Sequence, residues 1–152
     1  FAKPMKKVLQ YLQLTFGQAD ESMNHLYISA GRCKQFINNE NFTEEQLIEL
    51  EALTSRFARM SDILIQQIFK TIDRLDGIAP GTVRDRILQA EKNNIINDAK
   101  VFLEIRDKRN TIAHEYELHS LKEIFVFVFQ NTEILLDALK TAKEYSQKFY
   151  TT

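Results

Sequence analysis

Glycine and proline are scarce in this chain, with four and two among 152 residues. Turn-rich all-β folds depend on both, so the shortage argues against them. Cysteine is scarcer still. Cys33 stands alone, which excludes an intrachain disulfide framework and a Cys-rich zinc site and fits a reducing cytoplasm. Charge of one sign is also missing. A formal net charge of -1 excludes a generally basic, non-specific nucleic-acid binder, so any contact with RNA or DNA has to come from a local patch. No apolar run approaches the length of a membrane span, and no membrane partner is expected. At the amino end, "FAKPMKKVLQYLQLTF", lysines precede leucines, but Gln10 and Gln13 interrupt any continuous signal-peptide core. The chain opens at Phe1 and not at Met, as a processed or artificial end would.

What is present is the balance of a globular protein. Hydrophobic residues make up 44% and charged residues 27%, enough for a single domain over 1–152 with its own core. Five helices are expected. The first spans about Met5 to Phe36, with Gly17 and Gly31 as candidate breaks, and Asn38, Asn39 and Asn41 mark a loop. Thr43 with Gln46 forms a capping box. The second helix then carries Leu50, Leu53, Phe57, Met60, Leu64, Ile68, Ile72 and Leu75 along one stripe. "DGIAPGT" breaks it, and a short helix from Val83 to about Asn93 follows, capped by Thr82. After "NNIIN" a helix runs from about Asp98 to Ala113. Ser120 with Glu123 reads as a further capping box, opening a last helix to about Phe149. There "IFVFVF" is strand-like by propensity, yet Leu121, Phe125, Val128, Leu135, Leu139 and Ala142 keep helical spacing. The fold class is therefore all-α, an antiparallel up-and-down bundle of about five helices.

Local rules conflict only in "RDKRNTIAHEYELHS", residues 106–120. With Ile105 at zero and 100° per residue, Val101, Phe102, Ile112 and Ala113 fall between about -40° and +80°. Arg109 lands at about +40°, inside that apolar face. Two readings stand. One is a snorkelling or ion-paired arginine at a helix end, held by an acid of a neighbouring helix such as a glutamate. The other is a planar phosphate fork. His114 falls on the far side of a regular helix, about 140° from Arg109. For the two to act together, the helix must end near Ala113, with a loop over 114–119, or the partner groups must come from another chain. A histidine at a helix C-terminus is favoured as the cation. Arginine and histidine together are the minimum for metal-independent RNA cleavage. The 2'-hydroxyl attacks, the histidine moves protons and the arginine stabilises the phosphorane-like charge. One histidine does not readily serve as base and acid at once. His25 is mid-helix and His119 precedes Ser120, so a two-fold dimer with two copies of His114 is the simplest remedy.

"RNTIAHEY" (109–116) resembles the Arg-x4-His-x-Tyr signature of the HEPN superfamily, and more narrowly that of HepT-like toxins paired with minimal nucleotidyltransferase antitoxins. "RFARMSDI" (56–63), "APGTVRDRI" (79–87) and "EIRDKRN" (104–110) are similar to the same group, over roughly residues 45–145. The stretch before the second helix is not matched. The resemblance implies a homodimeric helical bundle with endoribonuclease activity and no cofactor or metal. It casts Arg109 and His114 as catalytic, Asn110 as supporting, and Tyr116 as the phenol on which the partner nucleotidyltransferase places AMP. A bulky anion there would block an RNA cleft sterically and electrostatically. Arg106 and Lys108 are the expected RNA contacts, with Arg84 and Arg86 as neighbours. The alternative is a non-catalytic subunit that binds substrate or nucleotide for a nucleotidyltransferase, and the blandest is a helical dimer without a site.

Overall fold

In a computed structural model, residues 3–112 and 118–151 are described, with side chains from 5 to 111 and from 121 to 151. All regular structure there is helical. The long amphipathic stripe of the second helix explains the arrangement, because all eight of its predicted residues are buried. That helix, α2, covers residues 44–75 without a break. It is α-helical over Glu44–Asp62, widens to a π-helix over Ile63–Phe69 and returns to α-helix over Lys70–Leu75. The wide turns let Ile63, Leu64 and Ile65 all be buried in succession. A regular 3.6-residue helix would turn one of three consecutive side chains outward. Helix α2 is accordingly the central element and packs against every other helix.

Helix α1 is Lys3–Cys33, α3 is Val83–Lys92, α4 is Ala99–Ile112 and α5 is Leu118–Tyr150. Cross-helix contacts fix their directions. Arg56 donates to the His25 carbonyl at 3.0 Å and to Ser29 Oγ at 2.8 Å, while Thr71 lies beside Val8, so α1 and α2 are antiparallel. Tyr27 meets Glu133, Lys143 meets Asp20 and Tyr150 meets Leu9, so α5 is antiparallel to α1. Phe102 stacks on Phe69 and Arg109 reaches Asp62, so α4 is antiparallel to α2. The four long helices form an up-and-down bundle, with α3 bridging α2 to α4. Their buried apolar side chains make one continuous cluster.

Chain punctuation largely follows the sequence. Thr43 with Gln46, and Thr82 with Asp85, both form reciprocal capping boxes. Gly77, at φ +75°, and Asn94, at φ +59°, close α2 and α3 in the same way. In each case the next amide reaches back five residues, Ile78 to Asp73 and Ile95 to Ala90. Two expectations need correction. Gly17 and Gly31 do not break α1, which runs through both, since two isolated glycines cost less than the packing of 31 residues provides. Ser120 does not open α5. The chain is already helical at Leu118 and His119, so the serine lies inside the helix and not at its start. "IFVFVF" is helical as its wider spacing requires, with Ile124, Phe125 and Val128 buried. No helix of the described residues is long and apolar enough to cross a membrane.

Candidate functional site

Arg109 stands in the last turn of α4, one turn beyond the fully buried Ile105. Its backbone position points it along the apolar face, but its guanidinium reaches Asp62 of α2 at a partly exposed cleft. Nε donates to both oxygens of Asp62, at 3.0 and 3.1 Å, and Nη2 donates to Oδ2 at 2.9 Å. Both side chains keep about a third of their surface exposed, 31% and 32%. The pairing is therefore semi-exposed and charge-assisted. It satisfies one edge of the guanidinium, while Nη1 has no hydrogen-bond partner among the described residues. Hydrogen bonding and attraction to Asp62 hold the Arg109 proton even more firmly than usual. The cation is permanent.

Asp62 is the last residue of α2 before the π-helical turns begin. π-Helical turns commonly accompany functional sites, because they re-aim the side chains around them. Around the pair lies a polar cleft of about 390 Å³, lined by Gln18 of α1 and by Ser55, Arg59, Asp62 and Gln67 of α2. Arg59 is exposed and forms no ion pair among the described residues. Two arginines, one carboxylate, two amides and a hydroxyl thus surround one opening. Such a set suits an anion with several oxygens, a phosphodiester above all.

Among the sequence candidates that lie within the described residues, the structure brings Arg109 alone into this cleft. Asn110 is exposed at the end of α4. Neither Arg106 nor Lys108 lines the cleft. The Lys108 ammonium sits 5.9 Å from the Phe127 ring centroid, on the α5 side of α4. Arg86 donates to Gln66 at 2.7 Å, so it joins α3 to α2 and not to the Arg106–Lys108 cluster. His25 is exposed on α1, and its carbonyl serves Arg56. His114 and Tyr116 lie outside the described residues, as do the side chains of His119 and Ser120. The loop expected over 114–119 is helical at 118 and 119 and otherwise lies outside them too. Among the described residues, no three His, Cys, Asp or Glu side chains gather as a metal-ligand set.

Sequence reasoning missed Asp62, Arg59, Gln18 and Gln67 as site residues. The signal for the first two was present, since "RFARMSDI" contains both. Neither stands out locally, because Asp62 meets Arg109 across 47 positions, which no local periodicity reports. The ion-paired reading of Arg109 at a helix end holds, with an aspartate of the neighbouring helix in place of the glutamate suggested. No protein-family model, curated protein or solved structure matches this chain.

Proposed function

We propose that this chain is a metal-independent endoribonuclease toxin of the HEPN type, HepT-like, acting as a homodimer and neutralised by a cognate nucleotidyltransferase that adenylates Tyr116. One observation carries the reading: the Arg109 fork, about a third exposed and held edge-on by Asp62 with its Nη1 unpartnered among the described residues, in a cleft shared with Arg59. Arg109 is also the first residue of "RNTIAHEY", the stretch on which the resemblance rests.

The chemistry follows from those groups. A ribose 2'-oxygen forms a bond to the adjacent phosphorus as its proton passes to one His114 imidazole. The bond from phosphorus to the 5'-oxygen breaks, and that oxygen takes a proton from the His114 of the second copy. A 2',3'-cyclic phosphate and a free 5'-hydroxyl result. Arg109 stabilises the charge that builds on the equatorial oxygens, a contribution worth roughly 10²- to 10³-fold in rate for one such donor. Asp62 acts through Arg109 and is a positioning residue. AMP on Tyr116, seven residues along the chain from Arg109, would add a bulky competing anion to the same stretch of sequence.

A second reading has an observation of its own. Asp62 neutralises much of the Arg109 charge, as suits a subunit that binds nucleotide without cutting. RNA cleavage in EDTA by the unmodified protein, with His114→Ala alongside, separates the two. Cleavage by the wild type alone supports the ribonuclease. Nucleotide binding by both proteins with no cleavage by either supports the binding subunit.

A further inference from the structure

The polar cleft at Arg109 is one end of a longer groove. On α1, Lys7, Tyr11, Leu14 and Gln18 fall within about 60° of one another at 100° per residue, so they form one stripe. Gln18 lines the Arg109 cleft, whereas Lys7 and Tyr11 line a second cleft of about 440 Å³ with Gln66, Lys70 and Arg74 of α2. The two clefts therefore open on the same side of the α1–α2 pair. Lys7, Lys70 and Arg74 are exposed, and none forms an ion pair among the described residues. No carboxylate lines the second cleft. In the first, Asp62 is taken up by Arg109. Glu21, the next exposed acid of the α1 stripe, lies one turn beyond Gln18 at the far end. In a chain of net charge -1, five cations and one carboxylate therefore face one groove, with four of the cations outside the Arg109–Asp62 pair. Tyr11 is 46% exposed and Leu14 63% exposed beside it, an apolar flank along a cationic floor.

We propose that this groove is a path for single-stranded RNA, leading from Arg59 and Arg109 to Lys7, Lys70 and Arg74, with Tyr11 as a base-stacking platform. The inference deepens the ribonuclease reading and rests on it for the identity of the strand. Its physical basis is separate. A cationic groove interleaved with an exposed aromatic is the general solution for binding single strands without sequence readout. From Arg59 to Arg74 the helix rises by about 22 Å, room for about six nucleotides at the 3.4 Å spacing of a stacked strand. A second copy of the chain docked on the Lys7, Lys70 and Arg74 end would set like charges together, which disfavours self-association there and leaves the homodimer of the ribonuclease reading to the Arg109 end. The exposed phenol favours a nucleic acid over an acidic protein segment, because every base offers a face to stack on.

The test is binding of a fluorescein-labelled 12-nucleotide RNA, followed by anisotropy across salt, in a His114→Ala background. Lys7→Gln, Lys70→Gln and Arg74→Gln combined should weaken binding tenfold or more and lower the salt slope by about two. Tyr11→Ala should weaken it about tenfold with the slope unchanged. A control triple at the exposed Lys34, Lys92 and Lys140, all off the lining of both clefts, should stay within twofold. Equal weakening by both triples overturns the path. So does poly-glutamate binding as tight as RNA and indifferent to Tyr11→Ala, which would mark a site for an acidic protein. Cleavage in EDTA, read separately without the His114→Ala background, distinguishes the two proposals. A chain that does not cut but loses RNA binding in the groove triple keeps the path and removes the ribonuclease. A chain that cuts, with binding unchanged in the groove triple, does the reverse.

Discussion

Arg109 meets Asp62 edge-on, with three hydrogen bonds between 2.9 and 3.1 Å that use Nε and Nη2 and leave Nη1 without a partner among the described residues. The two residues are 47 positions apart, so the contact locks the end of α4 to the middle of α2. This geometry gives each partner a different expected effect when it is replaced.

Asp62→Asn keeps the shape and removes the charge. As a semi-exposed ion pair it contributes about 1 kcal/mol at most, so the melting temperature should fall by about 2–4 °C. RNA should bind more tightly, because a carboxylate has left an anion site. Cleavage at saturating RNA should slow about tenfold, since the fork is no longer held. Arg109→Lys loses the planar fork altogether and should slow cleavage by roughly 10²-fold or more. Single-turnover rates with separately measured affinities decide the matter. Faster cleavage by Asp62→Asn would make the carboxylate a mere electrostatic brake.

Much of the fold was legible because helices carry a local period. The stripe from Leu50 to Leu75 and the caps at Thr43 and Thr82 are all statements about residues a few positions apart, and the structure has each of them. The π-helical turns after Asp62 were not legible, since Leu64, Ile68 and Ile72 fit an unbroken α-helical spacing. What betrays them is the burial of Ile63, Leu64 and Ile65 together, a property of three neighbouring helices and not of this one. The site divided in the same way. Arg109 stood out because it violated its own helix pattern. Asp62 and Arg59 violate nothing locally, and only the antiparallel packing of α4 on α2 gives them a role.

Two glycines should respond in opposite directions to the same change. Gly17 lies inside α1, where an added methyl meets nothing within 4 Å. Gly17→Ala should therefore stabilise by about 0.5–1 kcal/mol through helix propensity. At Gly81 the methyl would come within 2.7 Å of Asp85 Oδ2, the oxygen that accepts from the Thr82 amide in the capping box. Gly81→Ala should destabilise by about 1 kcal/mol, close to the cost of Thr82→Ala, as the box loses one of its reciprocal bonds. Urea melts of the three variants provide the comparison.

Cys33 should be inert in the folded chain. It is fully buried at the end of α1, and burial, with Glu49 nearby, pushes its thiol up to about 11. At neutral pH the thiolate fraction is then far below that of a free cysteine. Iodoacetamide at pH 7.5 should leave the native protein unlabelled and label it quantitatively in urea, as read by intact mass. Rapid native labelling would show that the end of α1 opens readily.

Asp73 gives the folded chain a pH dependence of unusual sign. Burial is the main cause, with the neighbouring Asp76 adding repulsion and Arg86 opposing both, and the carboxyl is pushed up to about 6. In the unfolded chain it titrates near 3.9. Between those values the native state binds more proton than the unfolded state, so this group's contribution falls as pH rises from about 4 to about 6. The loss amounts to roughly 3 kcal/mol at most, less what solvent screening removes from a half-buried group, and is complete above the folded value. Asp73→Asn should thus be more stable than the wild type at pH 7 and nearly equal to it at pH 4. The full stability curve sums the contributions of every titrating group. Only the difference between wild type and Asp73→Asn, measured by urea unfolding at half-unit steps, isolates this one. A constant difference across the range would mean that Asp73 is already ionised at pH 5, with Arg86 outweighing its burial.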